Sequence, residues 1–283
     1  MSYEVKEFYD EATNTLTYIV YNNLLEAVVI DPVLDYDQAA SKIHTASNDK
    51  VEKFVDQKSL KVLAILETHA HADHLSGAQD LKKRFPKAQL AIGEHIRSVQ
   101  AVFKEFYNLK NLNVDGTQFD LLLAEGVHRF GEIEMETIFT PGHTPACSSY
   151  KIGNNVFTGD ALFMPDYGTG RCDFPGGSAS SLYDSVHNKL YRLPDETITY
   201  TGHDYQPGGR ELKFKASIGE HKKENVHIKA TTTEEEFVKF RTERDKTLDA
   251  PRLLLPSVQV NVDGGNLPEV EDNGISYLRI PIR

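Results

Sequence analysis

The sequence has no tryptophan, only three methionines and only two cysteines among 283 residues. Those two thiols, Cys147 and Cys172, stand in no CxxC pair. A disulfide framework, a zinc ribbon and a dithiol redox motif are thereby excluded, and a reducing compartment fits best. No apolar run reaches 18 residues, and the opening MSYEVKEFYDEAT carries acids where a leader would be apolar. The expectation is a chain with no membrane span and no targeting segment, located in the cytoplasm. Positive charge is also scarce: 31 Lys and Arg against 42 Asp and Glu give a net charge of −11. Such a chain repels phosphate backbones and offers no basic stripe, so no nucleic-acid partner is expected.

Apolar side chains are present in quantity, at 40% of the residues, enough to bury a substantial core without staples. Strand-like runs occur at 16–23 (LTYIVYNN), 26–32 (EAVVIDP) and 61–69 (KVLAILETH), rich in β-branched and aromatic residues. A polar stretch from Asp35 to Leu60 reads as helical. From His74 the pattern turns helical, with Leu75, Ala78, Leu81 and Phe85 near the 3.6-residue spacing. A strand over AQLAIGE and a helix from His95 to Phe106 follow. Beyond Gly209, ELKFKASIGEHKKEN reads as helix, Thr233 and Glu236 form a capping-box pattern, and Val258, Val260 and Val262 alternate as a strand. Strands and helices interleave throughout. One α/β domain over 1–283 is expected, with a core of about 1–210 and a C-terminal extension of about 211–283.

The chemistry concentrates at strand ends. ILETHAHADH places His69, His71, Asp73 and His74 directly after an apolar strand. Titratable groups packed so densely beside apolar residues are costly unless something coordinates them. Three later strands close on the same punctuation, at His143 (TPGH), Asp160 (TGD) and His203 (TGH). Ligands delivered by loops at one sheet rim are the expected design of a metal site. Cysteine takes no part, whereas closed structural zinc sites are rich in it, so the site reads as open and catalytic. His44, His95, His128, His187, His221 and His227 have no such support and read as ordinary core or surface histidines.

The run T-H-A-H-A-D-H, with PGHT, TGDAL and GHD downstream, resembles the metallo-β-lactamase superfamily over about residues 1–210. The resemblance implies an αβ/βα four-layer sandwich with metal at one edge of two sheets, followed here by a helical and strand extension. Within the superfamily, FTGDALFMPDYGTGRCDFPGG followed by GHDY is similar to the persulfide dioxygenases, which oxidise glutathione persulfide with O2 to sulfite and glutathione. The extended C-terminus resembles a bacterial subgroup of them. That likeness implies one Fe(II) per chain on His69, His143 and Asp160, with His71, Asp73, His74 and His203 around it, and a homodimer. Arg171 is the candidate for gripping a carboxylate of glutathione, against an internal salt bridge with Asp173. Tyr205 is the candidate for lining the pocket or donating to bound oxygen, against a packing role.

The same seven residues would also serve a dinuclear thioester hydrolase like glyoxalase II. There His69, His71 and His143 would hold one metal, and Asp73, His74 and His203 another, with Asp160 between two zinc ions or a mixed iron and zinc pair. The chain departs from that pattern in Asp204-Tyr205 after His203, where glyoxalase II has Glu-Tyr-Thr, and in lacking that family's basic glutathione-binding C-terminal signature. A third reading is a non-catalytic, metal-stabilised sulfur-carrier module using Cys172.

Overall fold

Residues 2–282 are described by a computed structural model, in which the interleaved pattern is built as two six-stranded sheets. The first opens as an antiparallel meander of β1 (Tyr3–Asp10), β2 (Thr15–Asn22) and β3 (Glu26–Ile30). A hairpin of β4 (Val33–Asp37) and β5 (Lys42–His44) leads into α1 (Ala46–Lys58), after which β6 (Lys61–Glu67) pairs parallel with β3. The short β7 (Leu75–Ser76) returns to β4, and α2 (Ala78–Arg84), β8 (Gln89–Gly93), α3 (Ile96–Tyr107) and β9 (Leu121–Leu123) complete the order β1-β2-β3-β6-β8-β9.

The second sheet is antiparallel through β10 (Gly126–Phe130), β11 (Ile133–Phe139), β12 (Ser148–Ile152) and β13 (Asn155–Gly159). After α4 (Ala179–Asp184), β14 (Ile198–Thr201) adds parallel to β13, and β15 (Lys215–Ser217) closes the edge. The helices α5 (Ile218–Glu224), α6 (Glu234–Asp245) and α7 (Leu254–Asn261) follow.

Alternation along β2 shows how the layers form. Tyr18 and Val20 point into a core shared with Met135, Tyr150 and Phe157 of the other sheet. Ile19 and Tyr21 face the opposite way, packing with Val51 and Val55 of α1, Val99 of α3 and Val258 of α7. On the far side of the second sheet, Val156 packs with Leu182 of α4, Ile218 of α5 and Phe237 of α6. Each fully buried aliphatic or aromatic side chain of this kind contributes about 1.5–3 kcal/mol. The result is the expected αβ/βα four-layer sandwich. No helix among the described residues is long and apolar enough to cross a membrane.

Four local expectations are corrected. The stretch 35–60 is helical only from Ala46, because Asp35 to Asp37 pair with Lys42 to His44 as a hairpin. The helix expected at His74 starts at Ala78, since Leu75 and Ser76 pair with β4. In 211–225 the helix begins only at Ile218, behind a capping box of Ser217 and Glu220. Most consequentially, Val258, Val260 and Val262 do not form a strand. Residues 254–261 are helical, and Pro256 to Asn261 are all buried, so burial on every side erases the polar face that marks a helix in sequence. The capping box of Thr233 and Glu236 is present as expected at the start of α6.

Candidate metal centre

Strands β11, β13 and β14 run in one direction, as successive antiparallel steps and one parallel step require. Their exits therefore share an edge, and β6 of the other sheet ends beside them, with the Ser148 amide donating to the Thr68 carbonyl at 2.9 Å. Gly159 turns away from β13 at φ +49, and a Cβ there would sit 2.6 Å from Thr68 Oγ1. Only glycine lets the Asp160 loop pass so near the His69 loop. His69, His71, Asp73, His74, His143, Asp160 and His203 thus converge, as the strand-end pattern predicts.

The loop from 68 to 74 is irregular and buried, with His69, His71 and His74 at most 1% exposed. Such a backbone needs partners. Asn261 of α7 supplies them: its Nδ2 donates to the carbonyls of His71 and His74, both at 2.8 Å, and its Oδ1 accepts from the Ser76 amide. Asp31, at the exit of β3, accepts from the Thr68 amide at 2.7 Å, from Thr68 Oγ1 at 2.8 Å and from His71 Nε2 at 3.0 Å.

Each imidazole is oriented by one nitrogen. His69 Nδ1 meets Thr68 Oγ1 at 3.0 Å, and His143 Nδ1 donates to the Arg171 carbonyl at 2.7 Å. His74 Nδ1 meets Asp73 at 3.2 Å, and His203 Nδ1 donates to the Asn14 carbonyl at 3.2 Å. His71 Nε2 lies between Asp31 at 3.0 Å and Glu67 at 3.2 Å. The other nitrogens of His69, His71, His74 and His203, with Asp160 Oδ1, are buried and have no hydrogen-bond partner among the described residues. Buried polar atoms left open in one cluster are what a bound cation would satisfy. The donor set therefore fits a metal.

Two donor groups are compact enough for one ion each, with ligand atoms within 4.8 Å of one another: His69, His143 and Asp160; and His71, Asp73 and His203. Asp160 stands between them, 3.5 Å from His143 Nε2, 4.0 Å from His69 Nε2 and 3.4 Å from His203 Nε2. A third compact group joins Asp31, Glu67 and His71.

Charge and burial compete here. Burial, reinforced by the neighbouring His71 and His143, holds His69 well below the ordinary imidazole range. Burial also pushes the Glu67 carboxyl up to about 7. Burial would depress His71 too, but Asp31 and Glu67 outweigh it and raise that ring instead. A carboxylate pair gripping an imidazole keeps it in place.

A pocket of about 470 Å³ opens onto Asp73, His143 and Asp160. Phe163, Phe174, Tyr167 and Tyr205 supply aromatic wall. Tyr205 stacks on Tyr167 at 4.8 Å and on His203 at 5.6 Å, so it lines the pocket and is packed within its wall. Arg171 also lines it, yet its Nε and Nη2 donate to Asp173 at 2.6 and 2.7 Å and its Nη1 to the Asp249 carbonyl. Of the two roles weighed for Arg171, the internal salt bridge with Asp173 is formed. Cys172 is buried, and burial pushes its thiol up, which suits packing and not sulfur transfer.

Asp31, Glu67, Thr68, Thr15 and Asn261 are partners that the motif reading missed. Asp31 had a signal: EAVVIDP closes an apolar strand on an aspartate, as the other site strands do. His227, set aside among the ordinary histidines, lines the pocket. Nothing in its spacing marks it, because the packing of the extension brings it there.

Residues 11–203 match the family model for the metallo-beta-lactamase superfamily. The chain is 46% identical over 291 residues to a probable metallo-hydrolase of Burkholderia pseudomallei, covering 98% of both. It is 48% identical to glyoxylase B2 of Dictyostelium discoideum, covering 93% of this chain and 91% of that one. It is 32% identical to the human mitochondrial persulfide dioxygenase ETHE1, over 83% of this chain and 79% of that one. Among solved structures, ETHE1 from Myxococcus xanthus superposes with a TM-score of 0.74 at 30% identity, over 93% of this chain and 100% of that one. With fold, donor cluster and homology in agreement, the chain belongs to the metallo-β-lactamase superfamily, and persulfide dioxygenases of the ETHE1 type are among its homologues.

Proposed function

We propose that the protein is an iron-dependent persulfide dioxygenase, holding one Fe(II) on His69, His143 and Asp160 and converting glutathione persulfide, O2 and water to glutathione, sulfite and two protons. The observation that carries this reading is an asymmetry between the two donor groups. Two donors of the first group, His143 and Asp160, open onto the pocket, against Asp73 alone of the second. In that second group, Asp73 Oδ2 is also approached by two residues outside the group, Thr15 Oγ1 at 3.3 Å and His74 Nδ1 at 3.2 Å. Homology to the persulfide dioxygenases supports the same choice.

A two-histidine, one-carboxylate set suits non-haem Fe(II), which when bound would supply the redox chemistry for the reaction of O2 with a substrate sulfur. The protein's own part is orientation and exclusion of water. Thr68 Oγ1 donates to Asp31 and accepts from His69 Nδ1, so His69 presents Nε2 to the centre. The Arg171 carbonyl does the same for His143. Phe163, Phe174 and Tyr167 flank the substrate sulfur with aromatic surface, which sulfur contacts favourably. The Tyr205 hydroxyl, with no hydrogen bond to the described residues, is free to donate to an oxygen of the substrate.

Metal content of protein purified without added metal, paired with O2 uptake on glutathione persulfide, tests the reading. One iron per chain, persulfide-dependent uptake, and loss of both in Asp160→Ala are expected. Iron and full turnover retained in Asp160→Ala would remove the assignment. One observation favours a second reading, a dinuclear thioester hydrolase: Nε2 of His74 and of His203 are also buried and unpartnered, and glyoxylase B2 is 48% identical. Two metals per chain, no O2 uptake and hydrolysis of a glutathione thioester would establish that reading instead.

A further inference from the structure

The part of the chain that follows β15 builds the outer wall of the pocket, through Val226, His227, Arg241, Arg244, Leu248 and Arg252. In a protein of net charge −11, three arginines on one wall stand out, and their pairing differs. Arg241 is buried and held by Asp245 at 2.6 Å and by the Thr169 carbonyl at 3.1 Å, with its Nε left unpartnered. Among the described residues the Arg244 guanidinium bonds only to Thr247, Nη1 donating to its hydroxyl at 3.1 Å. Arg252 makes no ion pair or hydrogen bond with the described residues.

His227 adds one further donor to that wall. Thr169 N–H donates to His227 Nδ1 at 3.2 Å, so the neutral ring carries its proton on Nε2. Burial, with Arg241 and Arg244 nearby, pushes this histidine down to about 4 and keeps it neutral. Acids of the pocket do not cancel the excess. Asp73 and Asp160 belong to the donor cluster, and Asp166 is held by Arg210, which leaves Asp249 alone. A pocket with a metal centre at its floor and unpaired guanidinium groups on its wall is shaped for a ligand with a reactive sulfur at one end and an anion at the other. Guanidinium pairs with a carboxylate through two parallel hydrogen bonds, which selects carboxylate by geometry as well as charge.

We propose that Arg244 and Arg252 bind a carboxylate of the small thiol that carries the reacting sulfur, so that the C-terminal extension selects the carrier. The identity of the reaction rests on the persulfide reading above, whereas the ligand site does not.

Calorimetric titration with S-methylglutathione, which binds without turnover, tests the site apart from the reaction. Arg244→Ala and Arg252→Ala should each weaken binding about tenfold or more, as loss of a charge-assisted hydrogen bond does. Arg244→Lys should recover only part. In O2-uptake assays the same variants should raise KM for glutathione persulfide but not for cysteamine persulfide, which has no carboxylate. Unchanged affinity in both alanine variants, or binding of coenzyme A in place of S-methylglutathione, overturns the proposal. Arginine-dependent binding of S-methylglutathione without O2 uptake on any persulfide keeps the site and removes the dioxygenase reading.

Discussion

Asp31 accepts a hydrogen bond from His71 Nε2 at 3.0 Å and, through Thr68 Oγ1, also fixes His69. One carboxylate outside the donor cluster therefore orients two of its imidazoles. The residue sits at φ +50, a conformation that asparagine and aspartate tolerate better than other side chains, so Asp31→Asn changes the charge with little backbone penalty. An amide in this place reverses the polarity toward Thr68 and leaves Glu67 as the only carboxylate on His71. Metal affinity should fall about 10- to 100-fold, the usual cost of losing such a partner. Competition with a chromophoric chelator measures it, and wild-type affinity in Asp31→Asn would remove Asp31 from the site.

The donor residues were legible in sequence because each follows a strand and belongs to a short local pattern. His69 to His74, His143, Asp160 and His203 need only the rule that strand ends share a sheet edge. Their supports were less legible because they come from far along the chain. Asn261 lies 190 residues after His71, on a helix whose buried faces hide its periodicity. The arginine wall was hidden for a related reason: Arg244 sits on a helix that reads as an ordinary charged surface, and only the packing of the extension turns it toward the pocket. Arg171 was conspicuous beside the site motif, yet Asp173, two residues away, occupies it.

Asn261 carries the second prediction. Its side chain bonds the carbonyls of His71 and His74 and the amide of Ser76, all in buried surroundings. Asn261→Ala leaves these groups without partners, and each buried unsatisfied group costs about 1–3 kcal/mol. Urea unfolding of the metal-free protein should show a loss of about 3 kcal/mol or more, with reduced metal retention beside it. Equal stability and full metal content would mean that the loop holds its own shape without α7.

The third prediction concerns acid. His221 of α5 is buried against Thr199, with Nε2 at 2.9 Å from its hydroxyl, and it lies apart from the metal donors. Burial pushes it down to about 4 from the ordinary 6.5. The folded state thus resists protonation that the unfolded chain accepts. Stability from this group is fully present above about pH 6.5 and is lost as pH falls from there toward 4, amounting to about 3 kcal/mol across the window. His227, also near 4, adds to the same slope. His221→Gln keeps a donor toward Thr199 but cannot take up a proton there. Chemical denaturation at pH 7, 6, 5 and 4.5 should therefore show a shallower fall in the variant, with part of the slope left by His227. Parallel curves for the two proteins would mean that His221 is protonated in the fold without cost, and that its burial has no bearing on acid stability.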